Sequence, residues 1–289
     1  MKFRQQLIFE NVVAGKKAYC NVPLGKRIHM MVLEIGSANN DDFRNIVDDI
    51  LIKVNDNYQR TANADQLDQL NRANGERYAT RIITPPGAGN QLAHLPIYFF
   101  KPWAKLARDQ EGSAWTTDWM SRFRLEILLK AGITTPTLGG WMVFDDVTSN
   151  GKGQFIEKWI RNDIPAVGKA SESDNYLPKK DILTQLSLWD PAPAGTTISR
   201  VKFKVGTNEL YDLLRNQIGS DSAQYAEMTP NVPADPTVQG RLDCTFDSDG
   251  LLTSGLPVAN YPNLRLRLEY NQAANGTVTS IAQQFGLPE

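Results

Sequence analysis

Apolar and polar positions alternate through most of the chain in short runs, separated by breaks that carry glycine and proline, the punctuation of strands and turns. Ala18, Cys20 and Val22 share one side of a strand predicted over 16–23. Residues 26–36 are more continuously apolar, as a strand covered on both faces would be. In 46–54, Ile50, Ile52 and Val54 alternate with Asp49, Leu51 and Lys53. The period then changes. Leu67, Leu70 and Ala73 fall on one helical face of 64–74, and Gly75 fits a helix stop. Strands resume at 94–100, at 122–129 (Phe123, Leu125, Ile127, Leu129) and at 140–147. Pro96 cannot donate to a ladder, so it predicts an edge or a bulge in the first of these.

A polar, glycine-containing break at 148–154 reads as a linker. Phe155, Ile156, Trp159 and Ile160 then stand at helical spacing in 155–164, and 165–176 reads as loop. The second half repeats the first. The strand 50–54 matches 201–205, with Ile50, Ile52 and Val54 against Val201, Phe203 and Val205, and Lys53 against Lys204. A helix is predicted after both, and in the second copy Leu210, Leu213, Leu214 and Ile218 form its stripe, ending at Gly219. Residues 95–100 match 242–246, 123–129 match 264–270, and 140–144 match 277–282, the last reached through a hairpin-turn signal at 273–276. The offset drifts only from 151 (54 to 205) to 141 (123 to 264). With the match of Pro23, its following basic pair and apolar strand to Pro178, Lys179, Lys180 and 181–189, six elements repeated in order predict two tandem all-β domains of one architecture: eight-stranded jelly-roll sandwiches, each with a short inserted helix. The boundaries fall at 1–150, a linker with a short helix at 151–176, and 177–289.

Composition narrows the class. The chain has 289 residues, 41% hydrophobic and 22% charged, with 31 Lys+Arg against 32 Asp+Glu for a formal charge of −1. That balance lacks the basic excess of a nucleic-acid binder. No run of about 18 apolar residues exists to span a membrane, and 1–10 is too short and too charged for a signal peptide. Two cysteines, Cys20 and Cys244, suit a chain folded without disulfides in a reducing compartment.

Four stretches carry a family resemblance: residues 10–37, 48–56, 155–181 and 198–214. With the tandem order of elements, they resemble the double jelly-roll major capsid proteins of tailless icosahedral viruses, in particular the corticovirus type from membrane-containing phages. The likeness is one of pattern and element order and spans nearly the whole chain. It implies a homotrimer in which two upright jelly rolls per subunit give a pseudo-hexagonal capsomer. It further implies an icosahedral shell over an internal bilayer, made in the host cytoplasm, with vertex and membrane proteins as partners. Lys2 and Arg4, among Phe3, Leu7, Ile8 and Phe9, would let an N-terminal arm touch lipid headgroups. The same residues also read as a first strand.

Little in the chain suggests chemistry. Only His29 and His94 are available as imidazoles, both inside predicted strands, and no nucleophile-elbow, zincin, phosphate-loop or Cys-x-x-Cys motif occurs. No catalytic or cofactor residue is therefore assigned, and the chain reads as a structural protein and not an enzyme. The pairs Asp41–Asp42, Asp48–Asp49 and Asp145–Asp146 and the stretch 247–250 could supply oxygen ligands to structural calcium, which the resemblance allows, or be solvated turns. Asp48 and Asp49 point to opposite faces unless a bulge intervenes. Trp103, Trp115 and Trp119 read either as core caps or as anchors of a trimer interface. The sequon at 275–277 fits a hairpin turn better than glycosylation. The rival reading is a tandem sandwich that binds carbohydrate, since jelly rolls also make lectins. A jelly-roll glycosidase would need a carboxylate pair that the sequence does not locate.

Overall fold

The computed structural model describes residues 1–83, 92–104, 107–191, 197–218, 240–246 and 255–288. The chain divides into two compact units, Met1–Glu157 and Lys158–Gly286. Unit 1 contains β1 (Phe3–Gln6), β2 (Lys17–Asn21), β3 (Arg27–Gly36), β4 (Val47–Val54), β5 (Asn57–Ala62), β6 (Arg81–Ile83), β7 (Leu92–Tyr98), β8 (Trp115–Thr116), β9 (Phe123–Leu129) and β10 (Thr137–Asp145). Helices α1 (Phe43–Ile46), α2 (Ala64–Ala73) and α3 (Ala107–Gly112) are inserted between strands. One sheet runs β1-β10-β3-β7-β6, with β8 on β3; the other contains β2-β9-β4-β5. Met31, Leu33, Leu95, Ile97 and Met142 of the first sheet and Ile52, Leu125 and Ile127 of the second are essentially fully buried. Their two-residue spacing along each strand (Met31 and Leu33, Leu95 and Ile97, Leu125 and Ile127) puts these side chains in one sandwich core, each contributing about 1.5–3 kcal/mol of transfer energy.

Unit 2 contains β11 (Ile156–Ser173, its first two residues counted with unit 1), β12 (Ile182–Trp189), β13 (Ile198–Val205), β14 (Asn208–Leu214), β15 (Arg241–Thr245), β16 (Leu256–Pro257) and β17 (Leu264–Gly286). β17 pairs two strands in succession: Leu264–Tyr270 pairs β13, and Thr279–Phe285 pairs β12. The core gathers Leu183, Leu186, Leu188, Val201, Phe203, Leu266 and Leu268.

The repetition extends to single hydrogen-bond partners. β4 and β5 join with Val54 opposite Asn57 and Lys53 opposite Tyr58, then skip Gln59 to set Ile52 opposite Arg60. β13 and β14 join with Val205 opposite Asn208 and Lys204 opposite Glu209, then skip Leu210 to set Phe203 opposite Tyr211. β9 against β4 and β17 against β13 share a second bulge, which steps over Asp48 in one and Ser199 in the other. A third steps over His29 between β3 and β10 and over Thr184 between β12 and β17. The carbonyls at those two positions accept the amides of Phe99 and Phe246. Helix starts correspond as well. The Gln66 side chain accepts from the Asn63 amide before α2, and the Gln217 side chain accepts from the Leu214 amide before a helical turn at 215–218.

Three expectations are corrected. The second-copy helix is instead strand β14 as far as Leu214, helical only from 215, and Gly219 lies outside the described residues. The bulge at Leu210 breaks the two-residue period, and that is why Leu210, Leu213 and Leu214 mimic a helical stripe. The helix expected in 155–164 is part of β11, whose opening Ile156–Trp159 is buried on both faces and so lacks alternation; farther on, Ile164 and Ala166 are buried between exposed Asp163, Pro165 and Val167. The turn expected at 273–276 is extended chain inside β17. Of the edge or bulge expected at Pro96, the edge is found: Pro96 sits in register with Val32, in a strand that β6 covers only from Leu92 to His94, so among the described residues no strand lies on its outer side.

Candidate functional site

The residues with chemical potential are distributed over unit 1 as structural pins. His29 is 1% exposed and its Nε2–H donates to Asp145 Oδ2 at 2.8 Å. Arg27 grips the same carboxylate through Nε and Nη2, and the Val147 amide donates to its other oxygen. Burial would raise the Asp145 pKa, but these hydrogen bonds outweigh it and hold the carboxyl well below its usual range. Burial pushes the His29 imidazole down, against the pull of Asp145. His29 Nδ1 is buried without a hydrogen-bond partner, so no nucleophile is presented to this ring. Neighbouring Asp146 pairs with Lys26.

His94 lies on the outer side of the same sheet, paired with Glu34 at 3.1 Å and edge-on to Trp141 at 5.1 Å. Beside them a shallow groove of about 290 Å³ is lined by Arg4, Gln6, Glu34, Gly139 and Trp141. Glu34 is the single carboxylate of that lining, so the groove lacks the acid–base pair of a glycosidase.

The carboxylates at 41–42 and 145–146 are occupied by protein groups. Asp41 accepts from Ser37 and Asp42 caps α1. A bulge does separate Asp48 from Asp49, yet among the described residues no three His, Cys, Asp or Glu side chains gather to hold a metal ion. The stretch 247–250 lies outside the described residues.

The three tryptophans separate. Trp115 is fully buried against Phe99 and Phe123, so it caps the core and does not offer itself to a partner. Trp103, half-buried, meets Tyr78 and Tyr98 edge-on, and Trp119 is half-buried. The N-terminal residues form β1, and Lys2 reaches Glu111 and the Phe100 ring.

A buried network that the sequence did not signal joins Arg60 to Glu157. Arg60 is 1% exposed, donates to the Glu157 carbonyl at 2.9 Å and carboxylate at 3.2 Å, and lies over the rings of Phe99 and Trp115. Lys101 completes it at 3.2 Å from the same carboxylate. An arginine in a strand ordinarily reads as solvent-facing, which is why it was invisible.

Such an arrangement builds a rigid scaffold, and the comparisons agree. Residues 4–147 match the family viral coat protein P2 N-terminal domain. The major capsid protein P2 of bacteriophage PM2 superposes with a TM-score of 0.74 at 14% identity, over 100% of this chain and 98% of that one. Residues 4–147 carry the viral coat protein P2 N-terminal domain, and the whole chain has the double jelly-roll fold of major capsid proteins. The Faustovirus major capsid protein shares the fold at TM-score 0.68 and 9% identity, over 100% and 90% of the two chains. A chain of Sulfolobus turreted icosahedral virus does so at 0.70 and 12%, over 99% and 91%. No curated protein sequence matches the chain. Its role as a viral coat protein is therefore structural, and the two repeated units are its two jelly rolls.

Proposed function

We propose that this capsid protein works as a homotrimer whose six jelly rolls form a pseudo-hexagonal capsomer and tile an icosahedral shell in the virion. The carrying observation is the residue-for-residue repetition of hairpin, bulges and helix start in two units of one chain. Two near-equivalent modules per subunit let a threefold object present six similar sides. A permanent interface of this kind buries roughly 2,000–5,000 Å². The shell encloses a membrane, with vertex and membrane proteins as further partners, by likeness to the corticovirus type. Direct lipid contact through the N-terminus has less support, because β1 is held to β10 and Lys2 to Glu111.

Light scattering on the purified chain tests the trimer. The expected mass is three times 32.3 kDa. A strict monomer at every concentration would defeat the reading and direct attention to carbohydrate binding in the groove beside Trp141.

A further inference from the structure

Strands that correspond in the two units are covered differently. β5 has a hydrogen-bonded neighbour on each side: β4, and the start of β11 that runs with unit 1 as far as Glu157. Gln59, Arg60 and Ala62 are accordingly buried, at 0–2% exposure. Their counterparts in β14 are Leu210, Tyr211 and Leu213, and β14 ends its sheet. Leu210 is 44% exposed where Gln59 is sealed, and Leu214 is 44% exposed beside it. The polar residue is inside and the leucine outside, the reverse of what solvent selects for an edge strand.

The segment that covers β5 has a counterpart too. Asn162 in β11 lies beside Ser280 of β17, as Leu7 lies beside Gly140 of β10. Counted back from those anchors, Ile156 and Glu157 correspond to Met1 and Lys2, the two residues that lead into β1. β1 is the outer strand of its sheet, with all four residues exposed and Phe3 at 39%. Among the described residues, two sheets therefore end in open edges whose repeat-related counterparts lie together: β14, equivalent to β5, and the N-terminal segment leading into β1, whose Met1 and Lys2 are equivalent to Ile156 and Glu157.

We propose that the open edge of β14 receives the β1 segment, Met1–Gln6, of a second copy. The contact is head-to-tail, since the two surfaces differ, and it closes after three copies in the trimer proposed above, on which this inference rests. It makes Leu210, Leu214 and Phe3 interface residues and continues the sheet between subunits.

The test is Leu210→Lys with Leu214→Lys in the full chain, with Ile82→Lys and Ile83→Lys in β6, another strand that ends a sheet, as control. The expected result is a fall in light-scattering mass by about threefold for the β14 variant alone, its circular dichroism unchanged. Retention of the trimer by that variant overturns the inference and leaves the trimer standing, whereas a monomeric wild type overturns both. Should the variant misfold, hydrogen exchange on the wild-type trimer decides. Slow exchange at those amides of 208–214 and 3–6 that do not bond β13 or β10 supports the pairing, and their exchange within seconds in a verified trimer overturns it.

Discussion

Arg60 remains charged inside unit 1 because every face of its guanidinium is engaged by Glu157, by backbone carbonyls and by two aromatic rings. Burial lowers its pKa to about 10, still well above neutrality. Removing one partner of a buried pair leaves the other uncompensated. Arg60→Met is therefore expected to cost about 3 kcal/mol, read as a shift in urea midpoint at constant m. Lys101, which also holds Glu157, keeps the loss from being larger. His29 and Asp145 give a second prediction, on pH. Both pKa values are lower in the fold than in the open chain, so both groups favour the fold at higher pH. As pH falls below about 6.5, the unfolded chain takes a proton that folded His29 refuses, and stability drops by up to about 1.4 kcal/mol per pH unit. Asp145 adds a further loss below about pH 4, where the unfolded carboxyl protonates first. His29→Gln, which can still donate to Asp145, should remove the upper part of the slope and leave the lower. An unchanged slope above pH 5 or so would show that His29 does not carry it.

At the scale of elements, α2 owes its start to a complete capping box between Asn63 and Gln66. Asn63→Ala is expected to lower stability by about 1 kcal/mol in thermal or urea unfolding. A change within error would mean that tertiary packing of Leu67 and Leu70, both buried, fixes the helix unaided. Most strands were legible from alternation, because half-buried sandwich strands write their two faces into the chain. The element-by-element correspondence of the two halves was legible for the same reason, and the offsets of 151 and 141 recur in the ladder pairs of Val54 and Val205 with Asn57 and Asn208, and with Phe123 and Leu264. The failures came where a strand departs from period two. β14 was lost to its bulge, the opening of β11 to burial on both faces, and the middle of β17 to residues that elsewhere make turns. Of the candidate site, Trp115 was recognised without its place being fixed, whereas Arg60 and the two open edges depend on contacts between distant segments. No local pattern encodes those.

At the scale of the whole molecule, a shell needs many copies of one chain to approach closely, and any large net charge would oppose that approach in every contact at once. This chain has a formal charge of −1 and a pI near 6.2. The near-neutrality follows from 31 Lys+Arg against 32 Asp+Glu, and acid is paired with base inside each unit. Glu126 sits among Lys17, Lys53 and Arg124 in unit 1, and Glu172 among Lys204, Arg265 and Arg267 in unit 2. Charges satisfied within a subunit leave little field to repel the next. Growth beyond the trimer is then expected to be fastest near pH 6 and to slow toward pH 9 at low salt, where every subunit gains negative charge. Salt at about 0.15 M shortens the screening length to roughly 8 Å and should restore growth at the higher pH. Time-resolved light scattering across that grid checks it. Growth equally fast at pH 9 in low salt would show that short-range apolar contacts such as the Leu210 edge dominate and that charge balance has no part in assembly.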